Sequence, residues 1–203
     1  KDTISSLSEL KAYGSKVLLV YGGGSIKKNG LYDTAMKILK DAGLTVFELS
    51  GVEPNPKIET VRKGVEICKN EGIDMVLAIG GGSTIDCSKV VAAGARYDGD
   101  AWDLVLDGSK VKAALPIFDV LTLSATGTEM DPFAVISDMS KNEKWGTGSP
   151  YMVPTMSILN PEYTFSVSKK QTAAGTADMM SHTMENYFSM ENACLLYTSP
   201  SPR

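Results

Sequence analysis

The sequence predicts an α/β fold, a parallel sheet wound from βαβ units and followed by a helical segment. Three observations carry this. Short apolar runs alternate with stretches of helical periodicity from Val17 to Leu123. Two Gly-Gly-Gly-Ser turns each follow such a run. A boundary falls near Asn160–Pro161, and from Ser168 onward the pattern is helical. Alternating strands and helices favour a parallel sheet, because each strand must return by a crossover.

Taken in order, "SKVLLVYGGGS" reads as a buried strand, Val17–Val20, that runs into a glycine turn. "LYDTAMKILKDAG" carries apolar residues at helical spacing and stops at Gly43. "LTVFELSG" is a second strand, and "GVEPNP" is a loop because Pro54 and Pro56 cannot donate to a ladder. "KIETVRKGVEICKNEG" is a helix ending at Gly72. "IDMVLAIGGGS" is a third strand with its own glycine turn, "TIDCSKVVAAGA" a helix, and "LPIFDVLTL" a fourth strand. "FAVISDMSKNEKWGT" then reads as strand, polar turn and return, and "VPTMSILNP" as a short strand. Ser168 and Gln171 have the N-cap and N3 spacing of a capping box, which opens the helical part.

Bulk properties exclude several classes. The 203 residues are 43% hydrophobic, enough for a sizeable core. A formal net charge of −4 leaves no nucleic-acid or anionic-membrane footprint. No apolar run approaches the roughly 20 residues of a membrane span, and "KDTISSLSEL" lacks the layout of a signal peptide. The three cysteines, Cys68, Cys87 and Cys194, are odd in number and widely spaced. That argues against a disulfide framework or a thiolate metal cluster. A soluble cytoplasmic protein is expected.

Three loops carry candidate chemistry. Gly22, Gly23, Gly24 and Ser25 form one turn, and Gly80, Gly81, Gly82 and Ser83 the other. Glycine lets backbone N–H groups approach a phosphate, and a following helix N-terminus adds partial positive charge. Such turns are also plain connectors, but two of them at strand ends of one sheet favour a phosphate site. Ser83, Asp86 and Lys89 share a helix face. They are either a solvated Asp–Lys pair or polar groups ringing a nucleotide. "TLSATGTEMD", residues 122–131, places Thr122, Ser124, Thr126 and Thr128 after the fourth strand, where hydroxyls could meet ribose or phosphate. In the last helix Asp178, His182 and Glu185 fall within roughly 60° of arc, opposite Ala173, Ala177, Met180, Met184, Tyr187 and Phe188. His182 is the only histidine. An Asp and a His at this spacing are either a solvent face or two donors of a metal site. A catalytic site takes three or more.

"GGGSTIDCSK", "TLSATGTEMD" and "AAGTADMMSH", in that order, resemble the iron-containing alcohol dehydrogenases. Within them the closest resemblance is to the NADPH-dependent butanol dehydrogenase and aldehyde reductase branch, whose first turn also reads Gly-Gly-Gly-Ser. The resemblance runs from the start to about Ala193. It implies a dinucleotide-binding α/β domain of the dehydroquinate synthase type over residues 1–160. The first part of a helical metal-binding domain follows over 161–193, and residues 194–203 are a tail foreign to the family. Gly80–Ser83 would then hold pyrophosphate, with Asp86 near the nicotinamide. Thr122, Thr126 and Lys144 would contact the cofactor. Asp131 stands where this branch more often has Asn. Asn55 and the Gly22–Ser25 turn would lie at the adenosine ribose. Lacking a carboxylate and neighboured by Lys27 and Lys28, the turn points to NADP(H), with Pro54 turning Glu53 away. Asp178 and His182 would be two ligands of ferrous iron, or alternatively zinc, and also the catalytic pair.

The implied reaction is hydride transfer between NADP(H) and a primary alcohol or aldehyde such as butanol or butanal, in a homo-oligomeric parent enzyme. Two further His ligands, most of the helical domain and one strand ahead of Lys1 would be missing from the chain. The tail "CLLYTSPSPR" resembles translated adapter sequence; a natural disordered tail is the alternative. Competing readings are a nucleotide-binding module without catalysis, and a relative of glycerol dehydrogenase or dehydroquinate synthase.

Overall fold

The computed structural model describes residues 3–188. Its centre is a five-stranded parallel sheet in the order β2-β1-β3-β4-β7, formed by β1 (Lys16–Tyr21), β2 (Thr45–Leu49), β3 (Met75–Gly80), β4 (Ile117–Leu121) and β7 (Met156–Ile158). Inner strands of a parallel sheet are covered on both faces, which favours uninterrupted apolar runs. β1, β3 and β4 follow this, with β3 and β4 buried at every residue. The edge strands β2 and β7 are more open.

The alternation of side chains sorts the sheet into two cores. Leu18 and Val20 face α3 (Ile58–Glu71) and α4 (Gly82–Gly94), packing with Ile58, Val61, Val90 and Val91. Val17, Leu19 and Tyr21 face α2 (Leu31–Asp41), packing with Leu31, Ala35 and Leu39. A four-residue turn of helix, α1 (Ser25–Lys28), precedes α2. Both glycine stops hold: Gly43 follows α2 at φ 74° and Gly72 caps α3 at φ 62°, the left-handed region that ends helices.

Besides single helical turns such as α1, two longer elements were not foreseen. Thr3–Tyr13 is a 3-10 helix, unusually long for its kind. Its apolar residues explain the choice. Ile4, Leu7, Leu10 and Tyr13 recur every third position, matching three residues per turn. The first three pack into the α2 core, and Tyr13 meets Phe118 edge-on with ring centroids 5.0 Å apart. The other is α5 (Ala101–Leu106), capped by Asp100, whose Oδ1 accepts from Trp102 N at 2.9 Å. Arg62 on α3 donates to both Asp100 oxygens, at 2.8 and 2.9 Å, and holds the cap in place.

β5 (Phe133–Asp138) and β6 (Glu143–Gly148) form the expected antiparallel hairpin. It is tied to the start of α3 by Ser137 N donating to Pro56 O at 2.9 Å. Cys68 and Cys87 are buried free thiols, and burial pushes both up to about 12. The chain divides into two compact units, Lys1–Thr164 and Phe165–Arg203. The second contains α6 (Lys169–Phe188), preceded by Ser168, whose Oγ accepts from Gln171 N at 3.2 Å, the first half of the expected capping box. The expected foreign tail, 194–203, lies outside the described residues. Among those described, no helix is long and apolar enough to cross a membrane.

One strand residue breaks the apolar rule. Asp119, in the middle of β4, is 1% exposed. Its Oδ2 accepts from Ser157 Oγ on the neighbouring β7 at 2.6 Å, while its buried Oδ1 has no partner. Burial pushes the carboxyl from 3.8 up to about 7, assisted by the Glu129 charge and opposed by the Ser157 bond. The folded state therefore keeps a proton that the unfolded chain has released. Between about pH 4 and about pH 7, rising pH removes stability; above that the loss is complete. Asp119→Asn is neutral and of the same shape. It is expected to flatten this part of the pH dependence and to be more stable than wild type, by on the order of a few kcal/mol, at about pH 8. Urea unfolding at about pH 5 and about pH 8 checks this.

Candidate functional site

The order β2-β1-β3-β4-β7 reverses direction between β1 and β3. The chain leaves β1 toward one face of the sheet and β3 toward the other, since α2 and α4 belong to opposite cores. In such sheets a crevice opens outside the carboxyl ends of the two strands, and ligands bind there. β1 pairs with β3 so that Tyr21 lies beside Ile79. The residues that follow are Gly22–Ser25 and Gly80–Ser83. The two glycine turns thus sit side by side at the switch point.

Two further loops close on them. Gly51 N donates to Gly22 O and Val52 N to Tyr21 O, both at 3.2 Å, bringing in the loop after β2. Thr122 N donates to Gly80 O at 2.9 Å, bringing in the loop after β4. The fit leaves little room for side chains. A Cβ at Gly80 would fall 2.8 Å from Thr84 Cβ, and one at Gly82 would fall 3.2 Å from Thr126 Oγ1. Gly23 differs: nothing lies within 4 Å of a Cβ built there. Gly24, at φ 100°, takes the left-handed turn into α1.

α4 opens directly from the second turn. Its first bonds return Thr84 N and Ile85 N to Gly81 O, so the N–H groups of Gly82 and Ser83 stand at the open, partially positive helix end. The N-cap is Gly81, so no side chain competes for them.

The solvated reading of Asp86 and Lys89 is corrected. Lys89 is 0% exposed and Asp86 is partly buried. The reason is that α4 is enclosed by α3, α5 and β5, which periodicity along α4 cannot reveal. Asp86 Oδ1 accepts from Thr128 Oγ1 at 2.7 Å and Oδ2 from Val135 N at 2.9 Å. Burial, the largest influence, raises its carboxyl above the ordinary value, and these bonds oppose it. Lys89 Nζ donates to Thr128 Oγ1, to Asp131 O and Oδ1, and to Phe133 O. Of the four hydroxyls in the 122–131 loop, Thr128 is therefore turned inward, while Ser124 and Thr126 are exposed and Thr122 is half-buried. Asp131 Oδ1 accepts from both Lys89 and Phe133 N, which gives its carboxylate a structural partner.

Asn55 and Lys144, 89 residues apart, come together where the hairpin meets the loop after β2. Lys144 Nζ donates to Asn55 Oδ1 at 2.7 Å, and Asn55 holds φ 54°. Glu53 pairs with Lys57. Lys27 lies over the rings of Tyr21 and Tyr32, 4.9 and 4.6 Å from their centroids. Glu48 accepts from both tyrosine hydroxyls, which together with Lys27 hold its carboxyl below the usual range. Glu48 was missed; its only signal was a charge inside the "TVFEL" strand.

Asp178 and His182 lie one turn apart on α6, Oδ1 3.7 Å from Nε2, and both are well exposed. Met180, Met184, Tyr187 and Phe188 are exposed as well. Oxygen and nitrogen donors at this distance suit a divalent ion. Among the described residues no group of three or more His, Cys, Asp and Glu side chains gathers, so these residues alone do not supply the three or more donors a catalytic metal site takes.

Comparison with known proteins agrees with this layout. The chain is 65% identical over 181 residues to NADH-dependent butanol dehydrogenase A of Clostridium acetobutylicum, covering 89% of this chain and 46% of that protein. It is 39% identical to the NADPH-dependent aldehyde reductase YqhD of Escherichia coli, covering 92% of this chain and 49% of that one. The crystal structure of NADH-dependent butanol dehydrogenase A from Thermotoga maritima matches with a TM-score of 0.88 at 48% identity, covering 93% of this chain and 48% of that one. The chain thus spans about half the length of the relatives it matches. The family described as iron-containing alcohol dehydrogenase matches residues 1–161, which hold both glycine turns and the 122–131 loop, and the chain belongs to that family.

Proposed function

We propose that residues 1–160 bind a nicotinamide dinucleotide and that residues 161–193 begin a helical metal-binding domain. Together they serve hydride transfer between the cofactor and a primary alcohol or aldehyde such as butanol or butanal. The observation that carries this is the meeting of two Gly-Gly-Gly-Ser turns at the β1/β3 switch point, with the 122–131 loop resting on one of them. The relatives' names, butanol dehydrogenase and aldehyde reductase, support the substrate class.

In this reading the N–H groups of Gly82 and Ser83 hold the pyrophosphate, and Thr122 and Thr126 line the same side. The nicotinamide supplies hydride chemistry, and a metal held in part by Asp178 and His182 supplies Lewis acidity toward the substrate oxygen. Iron is the metal the family name implies, with zinc the alternative. A second reading, a dinucleotide-binding module without turnover, is favoured by the two-donor metal pair. Given iron, butanal and a reduced cofactor, the 203-residue chain is expected to show little or no turnover. Rates comparable to a full-length relative would refute that and exclude the module reading.

The adenosine end decides between NAD(H) and NADP(H). The Gly22–Ser25 turn presents no carboxylate, and the nearby Glu53 is engaged by Lys57, which favours tolerance of a 2′-phosphate. The names of relatives at 55–65% identity favour NADH instead. Gly23 separates the two. It has open space and no positive φ, so a side chain there is unstrained. Gly23→Asp is expected to weaken NADPH binding about tenfold relative to NADH, because like charges would meet. Fluorescence titration of both cofactors reads this. An unchanged ratio would remove the turn from cofactor choice.

A further inference from the structure

Lys89 is the largest side chain buried to completeness in the fold. Its ammonium has three hydrogens and is surrounded by four oxygens: Thr128 Oγ1 and Asp131 Oδ1 at 2.9 Å, and the carbonyls of Asp131 and Phe133 at 2.8 Å. All four belong to one stretch, Thr128–Phe133. One turn earlier on α4, Asp86 grips the start of the same stretch and the strand just beyond it, taking the Thr128 hydroxyl at 2.7 Å and the Val135 N–H at 2.9 Å. Thr128 joins the two, donating to Asp86 and accepting from Lys89. A cation and an anion on α4 therefore fasten a segment that has the hydroxyl loop on one side and the Lys144 hairpin on the other. The ammonium is wholly enclosed, and its four partners are protein oxygens.

We propose that Lys89 is a positioning residue for the dinucleotide site. By anchoring Thr128–Phe133 to α4 it holds Thr122 and Thr126 against the second glycine turn, so cofactor affinity depends on a charge that does not touch the cofactor. This rests on the dinucleotide reading above. Asp131 follows from it as the counter-charge that makes a buried ammonium tolerable, with its Oδ1 shared between Lys89 and Phe133 N.

The mechanism is quantitative. A site that is correctly formed only part of the time binds more weakly by the inverse of that fraction. If Lys89 acts by position, its removal must raise the dissociation constant by the same factor by which it raises local opening of the loop. A residue with a merely structural role would destabilise the whole fold without that equality.

The test measures both on the 203-residue chain. Binding of NADH and NADPH is titrated by fluorescence in wild type, Lys89→Met, Thr128→Val and Asp131→Asn. Amide hydrogen exchange is followed without ligand in each. Lys89→Met is expected to raise the dissociation constant about tenfold or more. Exchange should quicken by a matching factor in residues 122–135 and stay unchanged in β1 and β3. Thr128→Val, which removes the shared hydroxyl, should do the same to a smaller degree, and reads the inference if Lys89→Met does not fold. Asp131→Asn keeps the shape and should fall between. Unchanged affinity in Lys89→Met and Thr128→Val, or faster exchange spread evenly over the sheet, would overturn the inference alone. Wild type binding neither dinucleotide would overturn the dinucleotide reading and the inference with it.

Discussion

The pairing of β1 with β3 is the constraint on which the site depends. Strand β2 comes between them in the chain but lies on the far side of β1, so the sheet grows outward in both directions from this pair. The helices that follow β1 and β3 then lie on opposite faces, and the two loops part from each other above the strand ends. Nothing in the sheet covers the gap. Each turn must reverse the chain in a few residues within reach of the other, and glycine satisfies both demands. The loops after β2 and β4 reach the same place because their strands flank the pair.

Helix α4 carries the polar part of this arrangement, and it does so from inside the fold. A helix enclosed on several sides would ordinarily be apolar all round. α4 is apolar except at Ser83, Thr84, Asp86, Ser88 and Lys89, and of these Asp86 and Lys89 reach loop oxygens and an amide. Unpaired, either charge would cost several kcal/mol in that setting; paired, they prescribe where a loop without regular structure must lie. Asp119 shows the other outcome. It has one partner for two oxygens, and burial shifts it toward the neutral form.

Much of this was legible in the sequence, and the rest was hidden for identifiable reasons. Strands β1, β3 and β4 and helices α2, α3 and α4 announce themselves by period and by glycine stops. The 3-10 helix of Thr3–Tyr13 did not, because a repeat of three fits neither the strand nor the α-helix template. α5 has six residues, too few for a period to show. At the site, motif order found the glycine turns and the 122–131 loop. Face geometry grouped Asp86 with Lys89 but could not tell that β5 and a loop would cover them, since burial is a tertiary fact. The Asn55–Lys144 contact spans 89 residues and had no local trace. Asp178 and His182 could be placed one turn apart, and that spacing is what α6 shows.

The crowding around Gly80–Gly82 has a consequence for how such a protein can vary. If, as proposed, main-chain N–H groups cradle a phosphate there, the cradle has no side chain to delete, and alanine scanning would report steric damage in place of lost contacts. Selection faces the same asymmetry. The positions free to take a new side chain are those at the rim, such as Gly23, where nothing lies within 4 Å of a built Cβ, while the floor of the crevice is fixed by the absence of atoms. Divergence among such domains would then be written at the edges of the crevice, around a centre that tolerates almost no rewriting.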